Sequence, residues 1–129
     1  SEMCIRDRLT ADGTFRGGFI SPGFRARFRA LHDYTASLPL CGPADEELPL
    51  GRTTRACIQQ GVIASLCYEI AGHIDRMRAA YDRLLVIFTG GDAKFFEKRF
   101  KNTIFANCDL VFYGLNRILE YHACEENHR

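Results

Sequence analysis

A single apolar stripe within residues 53–83 constrains the fold of this chain more than any other feature. Its members recur at intervals of three and four residues: Ile63, Leu66, Ile70, Ile74, Met77 and Tyr81. This spacing places them on one face of a long amphipathic helix. Gly61 and Gly72 lie on other sides of that helix, where small residues would permit close packing. The rest of the fold must supply a surface that covers the stripe.

Shorter elements precede and follow the long helix. In chain order we predict a strand over 14–20, a helix over 21–37, a strand over 84–88, and helices over 93–100 and 110–121. Ser21 is the expected N-cap of the first helix, with Pro22 at its first helical position, and Asp109 can cap the last. The order predicts a mixed α/β layer. Because two strands cannot cover this much helix, we expect an absent segment or a partner to complete the sheet.

Charge and composition exclude several classes of protein. The 129 residues contain 17 Lys and Arg against 16 Asp and Glu, a formal net charge of +1. That balance argues against a nucleic-acid protein that depends on a broad basic face. No apolar run approaches the roughly 20 residues that span a bilayer. We therefore expect neither a nucleic-acid partner nor a membrane partner.

The cysteines and histidines form no recognisable catalytic or metal-binding pattern. The six cysteines contain no CxxC pair, and no signal peptide precedes them. The spacing of the cysteines, without a signal peptide, predicts reduced thiols in a cytoplasmic protein. The four histidines are scattered, and none pairs by spacing with a nucleophilic Ser or Cys.

Three glycine-containing turns are the candidate ligand-binding segments. Residues 89–91 (Thr-Gly-Gly) follow a predicted buried strand, where a main chain without Cβ atoms can approach a nucleotide. The dense turn 17–23 and the segment 51–54 are the other two. Each has a purely structural alternative: a plain turn, tight strand-to-helix geometry, or N-capping by Thr53 or Thr54.

Residues 1–8 show no periodicity with their neighbours and are similar to a translated sequencing adaptor. We therefore predict that they are non-native and leave them outside the fold. On that interpretation, the true beginning of the natural chain is missing.

Five ordered segments between about residues 9 and 121 carry a family resemblance. They are Gly17–Gly23 (GGxIxPG), Leu31 with Thr35–Pro39 (TAxLP), Leu50–Thr54 with Ile58 and Gly61 (iGxxT…i..G), Val86–Gly91 (viaTGG), and Leu110 with Gly114–Ile118. Together they resemble type III pantothenate kinases. The runs 91–96 and 116–121 are most similar to Bacteroidetes members.

The resemblance implies an α/β fold: an incomplete ribonuclease-H-like domain of the acetate and sugar kinase, Hsp70 and actin superfamily. Residues 9–121 would be the C-terminal kinase domain, truncated at its start, and residues 122–129 a polar tail. The implied activity is ATP-dependent phosphorylation of the pantothenate 4′-hydroxyl, the first step of coenzyme A biosynthesis. The implied enzyme is a cytoplasmic homodimer that uses Mg²⁺ and a monovalent cation, K⁺ or NH₄⁺.

The resemblance also implies roles for individual residues. Thr54 would contact pantothenate, with Thr53 as the alternative. The adenosine-binding residues would be Thr89, Gly90 and Gly91. The dimer-interface motif would comprise Gly17, Gly18, Ile20, Pro22 and Gly23.

The family's catalytic segments are not in this sequence. The first phosphate loop, the G-x-D-R segment with its general-base aspartate, and the D-x-GTA segment with its cation contact all lie upstream in the family. We therefore assign no catalytic residue and no metal ligand, and we predict that the chain alone is inactive. A non-catalytic dimerising or regulatory relative, or another kinase of the superfamily, is the alternative.

Overall fold

The computed structural model describes residues 2–100, 104–106 and 110–126. The chain divides into two compact units, one ending at His73 and the other beginning at Ile74. The elements are β1 (Met3–Leu9), β2 (Phe15–Pro22), α1 (Phe24–Asp33), α2 (Thr54–Ala80), β3 (Val86–Phe88), α3 (Ala93–Glu97), β4 (Ile104–Ala106) and α4 (Leu110–Glu126). The predicted mixed α/β class is confirmed. Among the described residues, no helix has the length and apolarity needed to cross a membrane.

The first unit opens with an antiparallel hairpin of β1 and β2, in which Ile5 pairs with Ile20 and the register shifts between Asp7 and Leu9. Its turn is closed where the Asp12 carboxylate accepts a hydrogen bond from the Thr14 amide at 3.1 Å. Most of residues 1–8, which we had left outside the fold, therefore belong to a strand. Their non-native origin stays a prediction.

The hairpin has one exposed apolar face, which we call the open face. Its members are 52–73% exposed: Met3, Ile5, Leu9, Phe15 and Ile20. Cys4, Arg6 and Ser21 alternate with these residues along the strands and therefore point to the opposite face. All three are half-buried.

Helix α1 begins later than predicted. Ser21 and Pro22 end β2, and Gly23 occupies the N-cap position. The predicted capping role of Ser21 is wrong because its hydroxyl donates to Glu69 of α2 instead. The helix also ends at Asp33 rather than Ser37, and the Leu38 carbonyl beyond it contacts the His32 ring at 2.8 Å.

The long predicted helix is confirmed as α2. The core of its stripe is buried, with Ile63 at 2% and Leu66 at 1% exposure, whereas Tyr81 lies beyond the helix and is 38% exposed. The close packing expected at Gly61 and Gly72 is absent: within the described structure, nothing lies within 4 Å of a Cβ built at either glycine.

The second unit contains a parallel pair of strands, with Val86 of β3 opposite Ile104 of β4. Strand β4 was not predicted, and β3 is shorter than the expected 84–88. The Phe88 ring meets the rings of Phe96 and Phe100 edge-on, at centroid distances of 6.2 and 5.7 Å. Helix α4 continues to Glu126, past the predicted end at Tyr121. The expected cap, Asp109, lies outside the described residues.

Candidate functional site

Thr53 and Thr54, the two candidate substrate threonines, have different surroundings. The Thr53 hydroxyl accepts a hydrogen bond from the Ala56 amide at 3.2 Å, so Thr53 caps α2. Thr54 is the first residue of the helix and is exposed. Its hydroxyl has no hydrogen-bond partner among the described residues. Of the two side chains, Thr54 is the one whose hydroxyl is available to a ligand.

Gly51 fixes the approach of the chain to this helix start. A Cβ at Gly51 would lie 2.6 Å from the Ala56 carbonyl carbon and 2.6 Å from the Cys57 Cα. Only glycine allows the main chain to pass so close to the first turn of α2. Gly51 therefore determines the path of the main chain into residues 52–54.

In the predicted dimer motif, most residues shape the backbone, whereas Ile20 presents a large apolar side chain. Gly17 has φ +102°, a conformation that favours glycine, and a Cβ at Gly18 would overlap the Asp7 side chain and the Arg6 carbonyl oxygen. Gly23 is buried at the start of α1. Pro22 is exposed and accepts a hydrogen bond from Arg27 Nε at 2.7 Å. Ile20, 73% exposed on the open face, is the member that presents apolar surface.

A charged cluster joins four elements of the first unit, and sequence reasoning missed it. The Glu69 carboxylate of α2 accepts hydrogen bonds from Arg6 of β1, Ser21 of β2 and Arg27 of α1. Arg6 Nη2 also donates to the Ser21 hydroxyl at 3.0 Å. We call Glu69, Arg6, Ser21 and Arg27 the Glu69 cluster. It fixes the end of the glycine-rich hairpin against both helices.

The Glu69 cluster keeps its carboxylate ionised. Partial desolvation acts to raise the pKa of Glu69, but the hydrogen bonds from Ser21, Arg27 and Arg6 outweigh it and lower the pKa from 4.5 to about 2. One sequence signal could have revealed the cluster: Glu69 is the only Asp, Glu, Lys or Arg between Gly61 and His73, inside the most apolar part of α2.

The Thr-Gly-Gly segment of the second unit leaves β3 in a sharp turn. Gly90 has φ +90°, and its carbonyl accepts a hydrogen bond from the Ala93 amide at 3.2 Å. Thr89 and Gly91 are exposed, and a Cβ built at Gly90 or Gly91 would meet no described residue within 4 Å. This main chain is open to a flat ligand, as the predicted adenosine contact requires. Asp92 occupies the N-cap position of α3, although its side chain makes no capping hydrogen bond.

The described residues offer no other cluster of chemical groups suited to a cofactor. No three His, Cys, Asp or Glu among them come together as a metal site would require. Within that part of the chain, five cysteines are not joined in disulfide bonds: Cys4, Cys41, Cys57, Cys67 and Cys124.

Comparison with known proteins identifies the family. The sequence model of the type III pantothenate kinase family matches residues 4–76, more than half of the chain. The chain is 44% identical over 115 residues to the type III pantothenate kinase of Phocaeicola vulgatus, which covers 89% of the chain and 48% of that protein. It is 40% identical over 115 residues to the Flavobacterium psychrophilum enzyme, with the same two coverages.

The match to the Bacteroides fragilis type III pantothenate kinase is 44% identical over 109 residues, or 84% of the chain and 45% of that protein. The chain thus spans about half the length of these relatives, all from Bacteroidetes. Because the family model covers most of the first unit and the relatives cover both units, the chain belongs to the type III pantothenate kinase family.

Proposed function

We propose that this chain is the C-terminal part of a pantothenate kinase, which transfers the γ-phosphate of ATP to the 4′-hydroxyl of pantothenate in the first step of coenzyme A biosynthesis. The observation that carries the proposal is the match at about 40% identity along 89% of the chain to type III pantothenate kinases. The order of the five motifs supports the C-terminal placement. The complete protein would be a cytoplasmic enzyme with a ribonuclease-H-like fold.

Thr54 is the proposed pantothenate contact. Its hydroxyl can donate or accept, and so can bond an amide, hydroxyl or carboxylate of the substrate. The capping role of Thr53 supports this choice, because a hydroxyl engaged by the helix is less available to a ligand.

Thr89, Gly90 and Gly91 are the proposed adenosine contacts. The open main chain at both glycines is compatible with a base stacked or hydrogen-bonded against it. Bound Mg²⁺ would neutralise phosphate charge as the phosphoryl group moves. We assign Mg²⁺, the monovalent cation and the general base to the upstream segments of the complete enzyme.

The proposed enzyme is a homodimer, and the β2 side of the open face, with Phe15 and Ile20, is the proposed contact region. Ile20 carries the apolar surface there, while Gly17 and Gly18 shape the backbone that presents it. Burial of exposed apolar side chains is the usual driving force for such association.

Recovery of the complete reading frame from the source DNA tests the proposal. We expect D-x-GTA and G-x-D-R segments upstream of Leu9, and ATP-dependent phosphorylation of pantothenate by the complete protein.

In that protein Thr54→Ala should raise the KM for pantothenate more than the KM for ATP. The 129-residue chain should show no turnover, since phosphoryl transfer depends on phosphate and base positioning that it lacks. A complete protein with degraded motifs and no activity would instead favour the non-catalytic relative.

A further inference from the structure

Gln60 has no role in the function proposed above, yet its environment is unusual. It is the one polar side chain buried among the described residues, at 9% exposure, and it lies in α2 between the buried Ile58 and Val62. A buried carboxamide is tolerated only where both of its ends are hydrogen-bonded. Its partners therefore show what the residue does.

Both ends of the Gln60 carboxamide bind the main chain of the loop that precedes α2. Nε2 donates to the Glu46 carbonyl at 2.8 Å, and Oε1 accepts from the Leu48 amide at 3.1 Å. One side chain thus holds two main-chain groups of the acidic, proline-containing segment 39–50. We call this pair of bonds the Gln60 clamp.

The same loop is attached to α2 on either side of the clamp. Upstream, Gln59 Nε2 donates to the Gly42 carbonyl at 2.9 Å. Downstream, the Cys57 thiol donates to the Gly51 carbonyl at 3.2 Å, beside the close approach of Gly51 to the helix. The loop therefore follows the first two turns of α2 and ends at the residues that lead into Thr54.

We propose that Gln60 is a positioning residue for pantothenate binding. The clamp holds residues 46–48 on the helix, which fixes the path into Gly51 and so the direction in which Thr54 presents its hydroxyl. The inference rests on the proposed contact between Thr54 and pantothenate. A displacement of the loop changes the geometry of that contact.

The test compares Gln60→Met with Gln59→Met in the complete enzyme. Methionine keeps the length of the side chain and removes both hydrogen bonds. We expect Gln60→Met to raise the KM for pantothenate about 3- to 10-fold while kcat and the KM for ATP stay within about twofold. Gln59→Met frees only the distant Gly42 carbonyl and should change the KM for pantothenate less than about twofold.

Hydrogen exchange supplies a second measurement on the same variants. Gln60→Met should accelerate exchange over residues 46–50, where the Leu48 amide loses its acceptor, and leave α1 unchanged. If Gln60→Met fails to fold, Gln60→Asn takes its place, since its shorter carboxamide cannot reach both loop groups. The expected results for Asn are the same in direction and smaller in size.

Four outcomes would overturn the inference. Faster loop exchange with an unchanged KM for pantothenate would show that the clamp does not reach the substrate site. An equal rise in both KM values would show a merely structural role. If Thr54→Ala itself leaves the KM for pantothenate unchanged, the proposed role of Thr54 fails and the inference fails with it. A rise for Thr54→Ala and none for Gln60→Met would overturn the inference alone.

Discussion

Thr53 and Thr54, adjacent residues of the same type, have different environments at the start of α2. Thr53 lies outside the helix, and its hydroxyl accepts a hydrogen bond from the Ala56 amide. Thr54 is the first helical residue and is exposed. The difference follows from helix geometry, because only the residue before the first turn can accept from an amide three residues later. Substitution can separate the two roles.

We expect Thr53→Ala to destabilise the chain by about 0.5–2 kcal/mol, the usual cost of a lost N-cap. Thr54→Ala should change the free energy of unfolding by less than about 0.5 kcal/mol, since the side chain is exposed. Urea unfolding of both variants measures the difference. Equal losses would contradict the assignment of Thr53 as the cap.

Gly51 and Gly61 provide a second pair for comparison. Gly51→Ala places a Cβ 2.6 Å from main-chain atoms of α2 and should destabilise by about 1–3 kcal/mol. Gly61→Ala, with open space around its Cβ, should stabilise the helix by about 0.5–1 kcal/mol. Thermal unfolding followed by circular dichroism gives both values, and a neutral Gly51→Ala would show that the loop can move away from the helix.

At the scale of elements, the Glu69 cluster joins what hydrophobic patterning leaves separate. Arg6, Ser21 and Arg27 come from two strands and a helix, and all three converge on one carboxylate. With side chains of Arg6, Arg27 and Glu69 only 17–25% exposed, these ion pairs are better shielded than surface pairs. Removing the negative charge leaves two half-buried guanidinium groups without their anionic partner.

Glu69→Gln should therefore lower the free energy of unfolding at pH 7 by about 1–3 kcal/mol. Because the folded-state pKa of Glu69 is lowered to about 2 from 4.5, its contribution is complete above pH 4.5 and is lost as the pH falls toward 2. The difference in the free energy of unfolding between wild type and Glu69→Gln should become smaller as the pH falls over that interval. Asp75→Asn, at an exposed position of the same helix, is the control and should show no such gap. A gap independent of pH would contradict the role of the charge.

Local patterns predicted elements better than they predicted partners. The three- and four-residue spacing of Ile63, Leu66 and Ile70 was enough to place the buried face of α2. Ser21 has the sequence context of an N-cap, but its hydroxyl binds Glu69, 48 residues away, and no local rule contains that contact. The same holds for Gln60 and for β4, whose pairing with β3 depends on a segment distant in sequence. The candidate segments 51–54 and 89–91 could be named from the sequence because glycine turns are local, and their ligand contacts stay predictions.

At the scale of the whole molecule, the chain has the family's sequence over about half the length of its relatives. The open face of the hairpin, with Phe15 and Ile20 of β2 more than half exposed, is apolar surface of the kind that associating proteins bury. The proposed self-association can therefore be tested with the 129-residue chain.

We expect Ile20→Lys to weaken self-association of the chain at least tenfold, because it places a charge in an apolar contact. Its circular dichroism should stay unchanged, since Ile20 is 73% exposed. Sedimentation velocity over a concentration series measures the association. Tyr34→Lys, which replaces an 88% exposed side chain outside the hairpin, is the matched control. Equal association of all three proteins would remove the open face from the proposed dimer.

The Glu69 cluster also sets an order of events during synthesis. Arg6 lies 63 residues before Glu69, Ser21 lies 48 and Arg27 lies 42 residues before it. The hairpin and α1 are therefore translated well before the carboxylate to which Arg6 and Arg27 donate. Until α2 emerges, both guanidinium groups remain hydrated by water. Glu69 is thus the last member of the cluster to be translated, and a nascent chain halted before residue 69 lacks the carboxylate on which the other three side chains converge.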